Sequence, residues 1–205
     1  MVIVISTSTV KALQKDRRYT YKDYLTWSDD TRYELFDGIP YAMAGANQVH
    51  QEISVELSSQ LHAFLKGKPC KVFTAPFDVR LSANNRDDTV VQPDLLVVCN
   101  QSKLDGKCCK GAPDMAIELV SPSTAGRDRL LKFNKYLKAG VKEYWIVDPE
   151  SKIVTVHILN EEAYMTSVYG EDDMAPVNVL EDCKINLKDV FSGLPDSNVE
   201  INDNE

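Results

Sequence analysis

The strongest pattern of apolar and polar positions lies between Asn47 and Lys66, where Ile53, Leu57, Leu61 and Phe64/Leu65 recur at helical spacing. Asn47 is a good N-cap, so the spacing predicts a long amphipathic helix reaching about Lys66. A shorter helix, capped by Thr20, is expected to run to about Thr26. Between the two, Arg32–Phe36 and Ile39–Ala42 flank Asp37-Gly38, a two-residue turn whose positions both favour positive φ, and a hairpin is predicted. Strands follow at Lys71–Thr74, Phe77–Leu81, Thr89–Cys99 and Met115–Val120. Ser121-Pro122-Ser123-Thr124 breaks the last of these and can cap a helix from about Arg127 to Ala139, which Gly140 ends. Glu143–Val147 reads as a short apolar strand, Lys152–Ile158 with Ala163–Tyr169 as a hairpin, and Leu187–Phe191 as a last helical turn. This order predicts a domain of α/β (α+β) class, with a mixed central β-sheet flanked by helices. Its central strands are apolar on both sides and should be buried on both faces.

Composition narrows the picture. A chain of 205 residues with 43% hydrophobic and 26% charged residues can build one large core without a structural metal. The expected layout is an N-terminal extension over 1–19, a folded body over 20–192 and an acidic, disordered tail over 193–205. No stretch approaches the ~20 apolar residues of a membrane helix, and the apolar run Met1–Ile5 is too short for a signal segment. A cytoplasmic protein with no membrane partner is expected. The cysteines at 70, 99, 108, 109 and 183 are odd in number, with two adjacent and no C-x-x-C, so reduced thiols are expected. The net charge of −8 weighs against a nonspecific nucleic-acid coat. Its distribution matters more: residues 161–205 carry 12 acids against Lys184 and Lys188, a net of −10, whereas residues 1–160 have 21 basic and 19 acidic residues, or +2. A near-neutral body can still present a local basic strip.

Two acids occupy positions where acids are costly. Glu118 lies within Met115-Ala116-Ile117-Glu118-Leu119-Val120, and Asp94 stands between Pro93 and Leu95-Leu96-Val97-Val98. Burying an ionised carboxylate costs several kcal/mol unless it is paired or binds a cation. On neighbouring strands the two could share a divalent metal through hard oxygen ligands. Capping a loop, or pairing with an arginine such as Arg80 or Arg127, is the alternative for each acid taken singly.

Four ordered blocks carry a family resemblance: Tyr33-Glu34-Leu35-Phe36-Asp37-Gly38 with His50-Gln51; Gln92-Pro93-Asp94-Leu95-Leu96-Val97-Val98; Ile117-Glu118-Leu119-Val120-Ser121-Pro122-Ser123-Thr124; and Tyr136 with Ala139 through Pro149. Over about residues 20–190 the chain resembles the Uma-two (Uma2) family of restriction endonucleases, within the PD-(D/E)XK nuclease superfamily. The resemblance implies a restriction-endonuclease-like core, with Asp94 and Glu118 as ligands of Mg²⁺ or Mn²⁺, joined by the Leu119 carbonyl, and DNA as the substrate. The superfamily lysine two residues after the second acid is missing, because position 120 is Val. Lys132 on the following helix matches the place of a substitute, with Lys135 as its nearest competitor and an Asp128–Lys132 surface pair as the plain alternative.

Glu34 is a candidate third carboxylate or supporting contact, or an exposed strand glutamate. His50 reads as a local hydrogen-bond donor rather than a base. Gln92 orients the metal's water or bonds the backbone, and Ser121 and Ser123 read as caps. No Ser-His-Asp or Cys-His set and no phosphate-cradling Gly-rich loop competes with this site. A metal-dependent DNA endonuclease is the expected activity, with a non-cutting nuclease-fold binding or regulatory module as the alternative. A homodimer is expected as well, through the Tyr164–Tyr169 hairpin or the Tyr144-Trp145 region, although Trp145 is expected in the core.

Overall fold

Thr20 and Asp23 form a reciprocal capping box that starts α1 (Tyr21–Tyr24). Strands β1 (Tyr33–Phe36) and β2 (Ile39–Ala42) are joined by Asp37-Gly38, with φ of 50° and 77° as the turn chemistry requires. Glycine is needed there for a second reason, since a Cβ on Gly38 would lie 2.9 Å from the Tyr19 backbone N and O. The side chain of Asn47 accepts from His50 N at 2.9 Å and opens α2 (Gln48–Leu65), which buries Ile53, Leu57, Leu61 and Leu65. Then come β3 (Lys71–Thr74), β4 (Asp78–Arg80), β5 (Val90–Val91), β6 (Leu95–Val98), β7 (Cys108–Lys110), β8 (Met115–Leu119) and α3 (Arg127–Ala139). The chain continues through β9 (Glu143–Asp148), β10 (Ile153–Asn160), β11 (Ala163–Tyr169), β12 (Met174–Pro176), β13 (Lys184–Asn186) and α4 (Leu187–Val190). This computed structural model describes residues 17–27, 31–82, 86–120 and 127–194, and of 127–129 the backbone only. Ser121 and Ser123, the side chains of Arg127 and Asp128, most of the N-terminal extension and the stretch 195–205 lie outside the described residues.

The strands form two mixed sheets and a separate hairpin of β12 and β13, where one central sheet was expected. The smaller sheet runs β2-β1-β5-β4-β7 and the larger β11-β10-β9-β8-β6-β3. Among the described residues only the pairs β4–β7 and β8–β9 are parallel. The apolar stretch expected as a single strand over Thr89–Cys99 divides at Gln92-Pro93-Asp94, sending β5 into one sheet and β6 into the other. Pro93 has no N–H to continue a ladder, and the break falls on it. Asp94 therefore stands at the junction of the two sheets.

Alternate residues of β6 face two cores, as its unbroken apolar run implied. Leu95 and Val97 pack with α2, Ile117, Trp145 and the segment around Ile185, Leu187 and Phe191. Leu96 and Val98 pack with Ala116, Tyr144, Tyr136 of α3, and Phe36, Val79 and Val91 of the smaller sheet. Trp145 is fully buried, as expected, and so is Tyr144, which removes the Tyr144-Trp145 region as an exposed surface for a dimer.

The expectation of five reduced thiols fails for one pair. Lys71 pairs with Val98 in the β3–β6 ladder, so the next residues outward, Cys70 and Cys99, face each other and form a disulfide. Cys108, Cys109 and Cys183 are free and buried. Among the described residues no helix is long and apolar enough to cross a membrane.

Candidate functional site

Four elements meet where β5 gives way to β6. Strand β1 contributes Glu34, β8 contributes Glu118, α3 contributes Lys132 and Tyr136, and the first turn of α2 contributes His50. The junction itself supplies Gln92 and Asp94.

Asp94 and Glu118 are joined through the backbone: Leu119 N donates to Asp94 Oδ2 at 2.8 Å. The other Asp94 oxygen, Oδ1, is 3.1 Å from His50 Nε2, and Ser54 Oγ is 3.4 Å from His50 Nδ1. Oxygen by oxygen, Glu118 is equally occupied. Tyr136 OH donates to its Oε1 at 2.6 Å, and Lys132 Nζ lies 2.9 Å from its Oε2. The same ammonium is 2.9 Å from Glu34 Oε1, which also accepts from Gln92 N at 2.9 Å.

This is a largely water-excluded set of charges, and its electrostatics follow. Burial pushes the Glu118 carboxyl up, an effect Lys132 opposes and Asp94 and Glu34 reinforce. Burial alone would favour a neutral Lys132, but Glu118 and Glu34 more than offset it and keep the ammonium charged. The bond to Asp94 raises His50 above its ordinary value against the effect of burial.

Asp94, Glu118, Lys132 and Glu34 thus converge, while Arg127 and Asp128, whose side chains would supply two of the plain alternatives, lie outside the described residues. Arg80 pairs with Asp87 rather than with Asp94 or Glu118. Lys135 pairs with Asp37 at 2.6 Å, which takes it away from the acids. Glu34 is buried rather than an exposed strand glutamate. His50 is a hydrogen-bond partner of Asp94, and Gln92 bonds Glu34 through its backbone. Sequence reasoning left Tyr136 without a role in the site. Its signal was the spacing from Lys132, since i and i+4 share a helix face.

The two carboxylates, Asp94 and Glu118, offer only hard oxygen donors. That suits Mg²⁺ or Mn²⁺, and Mg²⁺ commonly binds one or two carboxylates and keeps several waters. Among the described residues no group of three or more His, Cys, Asp or Glu side chains is placed to hold a metal ion.

Comparison with known proteins agrees with this architecture. An uncharacterized protein of Synechocystis sp., slr1290, is 29% identical over 144 residues, covering 69% of this chain and 74% of that protein. A crystal structure of a putative nuclease belonging to DUF820 from Anabaena variabilis superposes with a TM-score of 0.68, covering 84% of this chain and 97% of that one. At 21% identity that likeness shows a shared fold. The profile of the Uma2 family, described as "putative restriction endonuclease", matches residues 21–188, and the chain belongs to that family.

Proposed function

We infer that the protein is a metal-dependent endonuclease that hydrolyses DNA phosphodiester bonds. The observation that carries this reading is the 2.8 Å bond from Leu119 N to Asp94 Oδ2, which couples the two acids, together with the Lys132 ammonium on Glu118. Asp94, Glu118 and the Leu119 carbonyl are the groups that would hold the Mg²⁺ or Mn²⁺. When bound, that ion supplies Lewis acidity and an activated water. The protein's own side chains do the rest. Leu119 N and His50 orient Asp94, and Tyr136 orients Glu118. Lys132, kept charged by its two carboxylates, is a preorganised cation for the charge that accumulates on phosphate oxygens. Glu34 aims that cation. The acid-rich part of the sequence, 161–205, is kept apart in sequence from all of these groups.

Incubation with supercoiled plasmid and Mn²⁺ or Mg²⁺ tests the reading, beside Asp94→Ala and Glu118→Ala. Metal-dependent nicking lost in both variants is the expected result; nicking that survives either substitution would overturn the ligand assignment.

A second reading draws on the same ion pair. A salt bridge from Lys132 to both Glu34 and Glu118 is also what a nuclease fold retired to a binding role would use to satisfy its buried acids. Calorimetry separates the two, because only the nuclease requires Mn²⁺ binding that depends on Asp94.

A two-fold pair of copies would seat on β11, one of the two edge strands of the larger sheet, where Met165 and Val168 are exposed and all seven residues are uncharged. Antiparallel self-pairing brings Glu161 and Glu162 of one copy towards Glu171 and Asp172 of the other. Light scattering should therefore show more dimer as ionic strength rises, and a monomer at all salt concentrations would remove the pairing.

A further inference from the structure

Gln92 is a buried amide anchored from one side. Its Nε2 donates to Tyr24 OH at 3.0 Å and to Asp78 Oδ1 at 2.9 Å, while Oε1 is the one buried side-chain polar atom among the described residues that lacks a partner. Tyr24 OH donates to Asp78 Oδ1 at 3.2 Å and Tyr21 OH to Oδ2 at 3.3 Å. Helix α1 therefore closes on Gln92 through two tyrosines and one carboxylate. Aromatic contacts hold the helix in place: Tyr21 stacks on Tyr24, and Tyr24 meets Trp27 edge-on.

The backbone of the same residue belongs to the other side of the sheet. Gln92 N donates to Glu34 Oε1, the oxygen that also receives the Lys132 ammonium. Val90 packs with Tyr21 on one face of the smaller sheet, and Val91 with Phe36 on the other. At Gln92 the hydrogen bonds pass from the first face to the second. A continuous path runs Tyr24/Asp78, Gln92, Glu34, Lys132, Glu118.

We propose that Tyr24 and Asp78 are positioning residues for the nuclease site, acting through Gln92 on Glu34 and thereby on the Lys132 ammonium. The proposal rests on the nuclease reading for its catalytic consequence, but its structural core stands apart from that reading. With one unpartnered oxygen and two bonds to Nε2, the Gln92 side chain has no other polar hold. Loss of either partner frees the residue at the sheet junction and lengthens the bond from its amide to Glu34.

The test uses the full chain with Tyr24→Phe and Asp78→Ala; Tyr24→Phe removes a single hydroxyl and keeps the ring contacts. Amide hydrogen exchange and the ¹H–¹⁵N resonance of Gln92 report the bond to Glu34 directly. Exchange at Gln92 should quicken about threefold to tenfold, the range expected for one lost hydrogen bond. In plasmid nicking, kcat should fall by about the same factor. A merely structural role would not survive the last comparison: in a Glu34→Gln background, Tyr24→Phe should slow nicking no further. An unchanged Gln92 amide in both variants overturns the proposal, as does an additive effect with Glu34→Gln. If wild-type protein does not nick DNA at all, the nuclease reading falls and the Gln92 amide alone decides whether the path exists.

Discussion

Tyr136 and Glu118 meet at 2.6 Å, phenol to carboxylate, one helical turn beyond the lysine that holds the carboxylate's other oxygen. The two donors come from one face of α3 and fix the orientation of the acid that stands next to Leu119. Tyr136 is fully buried, so its hydroxyl has no water to fall back on. Replacing it with phenylalanine leaves the packing intact and Glu118 short of one donor. Tyr136→Phe should cost ~1.5–3 kcal/mol of stability, the range for a hydrogen bond to a charged group. Urea denaturation measures that loss, and calorimetry should show weaker Mn²⁺ binding through a less well-held Glu118.

Gly38 makes a backbone argument that is independent of the site. Its φ of 77° costs an alanine ~1–2 kcal/mol, and the Cβ would press on the Tyr19 backbone. Gly38→Ala should therefore lower the thermal midpoint markedly. Asn at Asp37, which already takes a φ of 50°, should be nearly neutral, because Asn tolerates the left-handed region. Equal effects at the two positions would mean that neither the positive φ of Gly38 nor the contact with Tyr19 bears on stability.

Much of this fold could be read directly from local chemistry. The Asp37-Gly38 turn, the Asn47 cap and the period of Ile53, Leu57 and Leu61 are signals contained within a few residues, and each element lies within a residue or two of its expected place. Strands β7, β12 and β13 are three residues each, too short for alternation to register, and went unread. The split at Pro93 was signalled by the proline, but the apolar residues on either side outweighed it. The Cys70–Cys99 bond needed the β3–β6 register, which no count of cysteines contains. In the candidate site, acids inside apolar strands stand out because their burial demands a partner, so Asp94 and Glu118 were legible. Tyr136 was not, since an aromatic residue on a helix face reads as core, and it is also core.

His157 offers a pH test away from the acids. It is buried among Phe133, Tyr144 and Tyr164, with Nδ1 2.8 Å from Thr166 Oγ1, and burial lowers its pKa. The unfolded chain, with a histidine pKa near ~6.5, then takes up the proton more readily than the folded one. Stability from this group is full above about pH 6.5 and is lost as pH falls towards the folded pKa, by at most ~1.4 kcal/mol per pH unit. His157→Gln removes the titration. The difference in unfolding free energy between wild type and variant should shift against wild type between pH 7.5 and pH 5. A difference that stays constant over that range would mean that His157 is protonated equally in both states.

Lys132 decides between a working nuclease and a retired one. Its ammonium is the shared partner of Glu34 and Glu118, both buried, so Lys132→Met leaves two carboxylates without their cation. Breaking a buried pair from one side costs ~3–5 kcal/mol, and metal-free Lys132→Met should be destabilised accordingly. The two readings part when Mn²⁺ is added. In a nuclease, the cation site next to Asp94 remains, and the freed carboxylates attract the ion more strongly. Mn²⁺ should then bind the variant more tightly than wild type and restore much of its lost stability, while DNA cleavage is abolished for want of the ammonium. In a module that uses Lys132 only to neutralise its acids, Mn²⁺ should leave the unfolding curve where it was. A thermal-shift titration of wild type and variant, with Asp94→Ala/Lys132→Met as the control that should lose the response, reads the outcome directly.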